Sequence, residues 1–345
     1  MTRSLKLVLA GYFKHLLIDA IGKLEKPHSG LRHLLFTVCD HYEPAFQSPP
    51  MPRALARVQR WVTDYPAMAA RFGDADGRPP QHTFFVPGEE FRPEFFDALE
   101  TLVRARLAEV ELRLHHESFA APSLRAEIRR HLATYAGRGH LARGADGRAR
   151  YAFIRPGGKT GAVDAELPLL FETGCYADFS VPSAQPKIVN QIYWPTGAVG
   201  QRARTGESFS DRILLMQGPL AFSLREGGAW PRLESGAISA ADPPSAARLA
   251  CWVRQNIHVE GRPDWVFVKL FTQGAPEEQA ECLLGGGARA LHGELTTRYN
   301  DGVRWKLHYV TAREAYNVAK AAMAGKRGDP NDYRDYELPR PPIQS

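Results

Sequence analysis

The sequence predicts an α/β fold in which seven or eight strand–helix units close into a (β/α)7–8 barrel. Three observations lead there. Short apolar runs alternate with helical-period segments along most of the chain. The runs are apolar on both faces, as strands of a covered parallel sheet are. No linker-like stretch divides the 345 residues, and 44% of them are hydrophobic, enough for one large core.

Residues 4–25 place Leu5, Val8, Leu9, Tyr12, Phe13, Leu16, Leu17, Ile21 and Leu24 at helical spacing, with Lys6, Lys14 and Lys23 opposite. Residues 1–28 therefore read as an amphipathic helix, packed on the body or lying on a membrane surface. Residues 29–324 hold the alternation. Strands are expected at 32–39, 82–87, 109–115, 151–154, 175–180, 213–218, 265–270 and 305–310. Helices are expected at 52–72, 92–107, 123–137, 165–173 (ended by Gly174), 245–256, 276–284, 286–300 and 311–324. Residues 138–150 read as a solvated loop and 182–212 as a long, lid-like one. The Pro-rich tail, 325–345, reads as irregular.

Composition narrows the function. A net charge of +6, from 44 Lys+Arg against 38 Asp+Glu, is mild and dispersed, so nucleic acid is not expected as a partner. Cys39, Cys175, Cys251 and Cys282 are scattered without a CxxC pair and read as free, mostly buried thiols. No segment has the roughly 18 uncharged apolar residues of a membrane helix. Lys14, His15 and Asp19 interrupt the N-terminal apolar stretch, unlike a signal peptide. A cytoplasmic protein, with peripheral membrane contact through the first helix as an option, is the expectation.

Chemistry is expected where apolar strands run into acids and imidazoles, because parallel sheets carry their sites at the strands' C-terminal ends. Phe36-Thr37-Val38-Cys39-Asp40-His41-Tyr42-Glu43 is one such end, and Leu112-Arg113-Leu114-His115-His116-Glu117 another. If the two meet, Asp40 with His115 and His116 suits a divalent ion, Zn²⁺ first, with a position left for water. Both His115 and His116 can ligate only if the strand has ended, since adjacent strand residues face opposite ways. Glu43 and Glu117 are alternative carboxylates. Arg155, at the turn after another strand, suits a carboxylate. Gln273 can hydrogen-bond a carbonyl or hydroxyl but cannot transfer a proton. Asp178, Ser180 and Ser183 are substrate-facing or turn-capping candidates, and His41 and His82 are further contacts. No phosphate loop or nucleophile elbow is present.

These segments, in this order, resemble the polysaccharide deacetylase superfamily, the NodB-like carbohydrate esterases with a distorted (β/α) barrel. Phe36–Asp40 is similar to the first motif, His82-Thr83-Phe84-Phe85 to the "ATFF" strand, His115-His116 to the metal-binding His motif. Phe153-Ile154-Arg155-Pro156 is similar to the "RPPYG" turn, and Val266–Gly274 to the last catalytic strand. The resemblance implies a metal-dependent deacetylase of an acetylated sugar or polysaccharide precursor. Asp40 would be metal ligand, with Asp40, Glu43 and Arg155 in catalysis. Three departures keep a second outcome open, a non-catalytic barrel that binds carbohydrate in surface-polysaccharide assembly. Cys39 stands where the family has its proton-accepting Asp, His115-His116 replaces two His four residues apart, and Gln273 lies where a catalytic His belongs.

Overall fold

The computed structural model describes residues 30–114, 121–155, 163–181, 183, 188–196, 201, 202, 209, 211–223 and 232–343. The segment 4–25 lies outside them. The first strand, β1 (Arg32–His41), has a buried side chain at every position between its two ends. Such a strand needs cover on both faces, and it has it. It pairs in parallel with β11 (Trp265–Thr272) from His33↔Trp265 to Asp40↔Thr272. On its other edge it pairs with β12 (Trp305–Tyr309) at its start and β2 (His82–Pro87) at its end. Strand β3 (Ala108–Arg113) continues the sheet beside β2.

A second sheet, starting from the short strand β4 (Ala142–Arg143), has the order β4-β5-β6-β8-β7. Its parallel members are β5 (Ala149–Phe153), β6 (Cys175–Asp178) and β8 (Leu214–Met216), with β7 (Ile192–Tyr193) antiparallel at the edge. A parallel bridge, Arg113↔Ile154, joins β3 to the end of β5. Past the antiparallel pair β9 (Leu220–Ser223) and β10 (Arg232–Ser235), Ala237 bridges in parallel to Phe271 of β11. The α/β class with a mainly parallel sheet is thus as expected.

The helices are α1 (Met51–Ala69), α2 (Pro93–Arg104), α3 (Ala121–Gly137), α4 (Val163–Thr173), α5 (Ala246–Arg254), α6 (Glu277–Leu284), α7 (Gly286–Tyr299) and α8 (Ala312–Met323). They start where the chain permits. Pro52 and Pro93 sit in first turns, Ser245 caps α5, and Thr311 with Glu314 forms a capping box on α8. Gly174 ends the turn after α4 at φ +101°, with a would-be Cβ 2.6 Å from the Ala149 carbonyl oxygen, so only glycine fits there.

Strand alternation splits the core into two layers. Leu34, Phe36 and Val38 of β1 pack with the helix layer, among them Trp61 and Leu99. Leu35 and Cys39 face the other way, with Phe85, Ile154, Phe267 and the α8 residues Ala315, Val318 and Ala319. That second environment explains why α8 is buried almost all round.

Two expectations are corrected. Residues 138–150 are not a plain loop. Strand β4 (Ala142–Arg143) pairs antiparallel with β5, and Gly147, at φ +74°, turns the hairpin. Nor is the tail simply irregular. It forms a 3₁₀ turn, Pro330–Tyr333, and buries Arg334 and Leu338. Proline spacing marked the breaks in this segment, but the charge partners that hold it lie far away in the sequence.

Candidate functional site at the strand ends

Strand β3 reads Ala108-Glu109-Val110-Glu111-Leu112-Arg113, so strict alternation puts Glu109, Glu111 and Arg113 on one face. The apolar members join the helix layer, and the charged ones face the interior. All three charged residues are buried, and each has acquired a partner. Glu109 is held by Arg313 Nη2 (2.7 Å) and Thr311 Oγ1 (2.9 Å) of the α8 start. Glu111 accepts from the Tyr176 hydroxyl (2.5 Å) and the Ala152 N–H (2.8 Å). Burial pushes its carboxyl up to about 8, against those two hydrogen bonds.

Arg113, at the C-terminal end of β3, pairs with Glu43 beyond the end of β1. The ends of these two strands therefore converge. Burial lowers the Arg113 guanidinium to about 10, and the Asp40 charge opposes the shift. Its Nε is buried without a hydrogen-bond partner among the described residues. Beside it, just past β5, Arg155 donates from Nε to Glu166 (2.6 Å) and places Nη1 2.7 Å from Asp178 Oδ2 and 3.3 Å from Ser180 Oγ. Its remaining nitrogen, Nη2, is also buried without a partner among the described residues. Asp178 Oδ1 accepts from the Ser180 N–H (2.7 Å) and hydroxyl (2.6 Å), a turn-capping arrangement, while Oδ2 faces Arg155.

Lys269 of β11 is the other interior charge. Its ammonium donates to the Phe179 carbonyl, and burial lowers its pKa, while the Cys39 and Asp178 charges oppose that change. The same burial raises the Cys39 thiol to about 12, against the pull of Lys269. Cys39 is thus no replacement for a carboxylate base at neutral pH.

Asp40 belongs to the other side of the sheet. Being in phase with Leu34, Phe36 and Val38, it points to the helix layer, where it is fully buried. Oδ1 accepts the Gly274 N–H at 2.6 Å, and Oδ2 lies 3.0 Å from His82 Nε2. Trp61 closes the pocket, donating to the Gly274 carbonyl at 2.9 Å with its ring 4.6 Å from that of His82. Asp40 and His82 are brought together, but away from Arg155 and Asp178. His41 is half-buried, edge-on to Phe271 at 6.4 Å, and Gln273 is exposed. His115 and His116 lie outside the described residues.

Glu111, Arg113 and Lys269 were not singled out from the sequence, though charges alternating inside an apolar strand marked the first two. Among the described residues three groups have the geometry to hold a metal ion: His33, His308 and Asp329; Asp74, Asp76 and His308; Glu89, Glu127 and His131. None includes Asp40. All four cysteines are free thiols, three buried and Cys282 partly so. No described helix is long and apolar enough to cross a membrane. No protein-family model matches the chain, and no curated protein matches it either.

Proposed function

We infer that this chain is a distorted (β/α) barrel of the polysaccharide deacetylase type that holds an acetylated or acylated sugar at its strand ends. The run of parallel neighbours from β11 through β8, with Ala237 laid on β11, supports the barrel reading. One observation carries the binding reading. Arg113 ends β3 and Arg155 lies just past the neighbouring β5; among the described residues each keeps a buried, unpartnered N–H, while Asp40 is locked into the helix layer. Two rigid guanidinium donors suit hydroxyl or carboxylate oxygens of a saccharide. In this reading sugar binding needs no metal on Asp40. Titration of the protein with acetylated chito-oligosaccharide, by calorimetry and with acetate assayed in parallel, tests it. Binding without acetate release, weakened in Arg113→Met and Arg155→Met, is the expected result. Absence of binding would reject the reading.

A second reading, the metal-dependent deacetylase, draws on the Glu43–Arg113 contact. That contact sets a carboxylate two residues before His115, so Glu43 rather than Asp40 would complete a zinc-type site with His115 and His116. When bound, such an ion would activate water and polarise the acyl carbonyl. Acetate release that disappears with a chelator, in Glu43→Gln and in His115→Ala would select this reading. A cytoplasmic site of action, with membrane contact through residues 4–25, belongs to the same proposal. Liposome flotation of chains with and without that segment checks the contact.

A further inference from the structure

We propose that His33, His308 and Asp329 form a zinc-type divalent-cation site at the N-terminal end of the sheet, opposite the sugar-holding rim. The ligands come from three separate segments: the second residue of β1, the fourth of β12, and the tail just before the 3₁₀ turn. Parallel pairing of β1 with β12 sets Leu35 against His308, so both imidazoles lie over one strand edge. The rings stack with centroids 5.1 Å apart and planes 20° from parallel, and His33 Nδ1 faces His308 Nε2 at 2.8 Å.

The nitrogen chemistry favours a cation between them. His308 Nδ1 lies 2.8 Å from Asp76 Oδ2. That carboxylate holds the proton on Nδ1 and turns the Nε2 lone pair toward His33, the arrangement usual behind metal-bound histidines. Asp329 Oδ1 is 3.8 Å from the same Nε2, and its other oxygen is braced by Lys306 Nζ at 3.0 Å. Oδ1 also accepts the Asn331 N–H at 3.1 Å, which fixes the carboxylate and leaves it a lone pair. Two imidazole nitrogens on a tetrahedral ion stand about 3.3 Å apart, so binding asks the pair to open by a few tenths of an ångström. Asp329 is part-exposed, which leaves a way in and a position for water. The alternative group with Asp74 is set aside. Asp74 already accepts backbone N–H groups from Asp76, Arg78 and Tyr309 and pairs with Arg334.

Charge supports the assignment. The carboxylates of Asp74, Asp76, Glu314 and Asp329 outnumber the cations paired with them, Arg78, Lys306 and Arg334. The ion would tie the tail to the strands that start the fold.

Tag-free, chelator-treated full-length chain is titrated with Zn²⁺ by calorimetry, and Co²⁺ is added separately for its visible spectrum. Expected are one equivalent that persists in the His115→Ala/His116→Ala double variant, and a tetrahedral Co²⁺ band. Both should be lost in His33→Ala, and Asp76→Asn should weaken affinity roughly 10- to 100-fold. If His33→Ala fails to fold, Asp329→Asn, altering a part-exposed tail residue, decides by the same loss. Zinc should also slow proteolysis of the tail. No zinc binding by the wild type, or binding indifferent to both His33→Ala and Asp329→Asn, would overturn the site. It would leave the pair as a neutral hydrogen-bond relay from His33 through His308 to Asp76.

Discussion

Asp40 Oδ1 accepts the backbone N–H of Gly274 at 2.6 Å, and a Cβ added to Gly274 would fall on the other oxygen of the same carboxylate. That Cβ would also come within 2.7 Å of Trp61 Cζ2. Gly274→Ala therefore overpacks a closed pocket and should cost about 1–3 kcal/mol. Asp40→Ala should cost a similar amount by leaving the Gly274 N–H and His82 without an acceptor, about 1–3 kcal/mol. The double variant should lose less than the sum, because removing the carboxylate removes the clash. Urea denaturation of the two single variants and the double gives the coupling; strict additivity would show that the two residues do not share one pocket.

Glu111 carries a pH signature. Its folded carboxyl is raised to about 8 from an ordinary value of 4.5, mainly by burial. Between those values the folded state binds a proton that the unfolded state has released, so this group's contribution to stability falls as pH rises through about 4.5–8. Glu111→Gln keeps an acceptor oxygen for the Ala152 N–H, turns an N–H toward the Tyr176 oxygen as the protonated acid would turn its O–H, and removes the titration. The variant should match the wild type near pH 4.5 and exceed it at pH 8 and above, by on the order of a few kcal/mol. Melting curves at a series of pH values check the difference. A gap that does not grow with pH would refute the buried, protonated carboxyl.

Much of the architecture was legible because its signals are local. The 82–87 strand has the bounds read from His82-Thr83-Phe84-Phe85-Val86-Pro87, and Gly174 stops its helix as read. Side-chain phase on β1 was not legible. Leu34, Phe36 and Val38 are as apolar as Leu35 and Cys39, so period two carries no sign, and the layer that Asp40 faces cannot be read from it. On β3 the sign was present in Glu109, Glu111 and Arg113, and it locates the polar interior. The tail was misread because Arg334 answers to Asp74, Asp76 and Glu314, a pairing no local pattern announces.

The thiols should separate by reactivity. Burial raises Cys39 to about 12, and it raises Cys175 well above the ordinary thiol range too, with Asp178 and Glu111 adding to it. The thiolate is the reactive form, so both should resist alkylation in the folded chain at pH 8. Cys282, only part-buried, should react first. Timed iodoacetamide labelling with peptide mass spectrometry reads the order. Early labelling of Cys39 would mean that the interior around Lys269 is open to solvent.

Arg313 is where the closing helix, the sheet and the tail meet. It lies fully inside, with Nε and Nη2 on Glu109 (3.1 and 2.7 Å to Oε1) and Nη1 on Asp335 (2.6 Å) and the carbonyls of Arg334 and Leu338. Removing it strands the Glu109 carboxylate in the interior, which should cost about 3–5 kcal/mol in Arg313→Met. Glu109→Gln/Arg313→Met removes both charges and should recover a large part of that loss, since no buried ion is then left alone. The tail acceptors, however, still need a donor after that exchange. Cutting the chain after Gly325 should therefore destabilise the wild type more than the double variant, whose grip on the tail is already weakened. Chemical denaturation of the four combinations measures the difference. Equal losses on truncation would show that the tail is held by its other contacts, such as Arg334 on Glu314, Asn317 on the Leu338 carbonyl and Lys306 on Asp329, with Arg313 serving only the sheet.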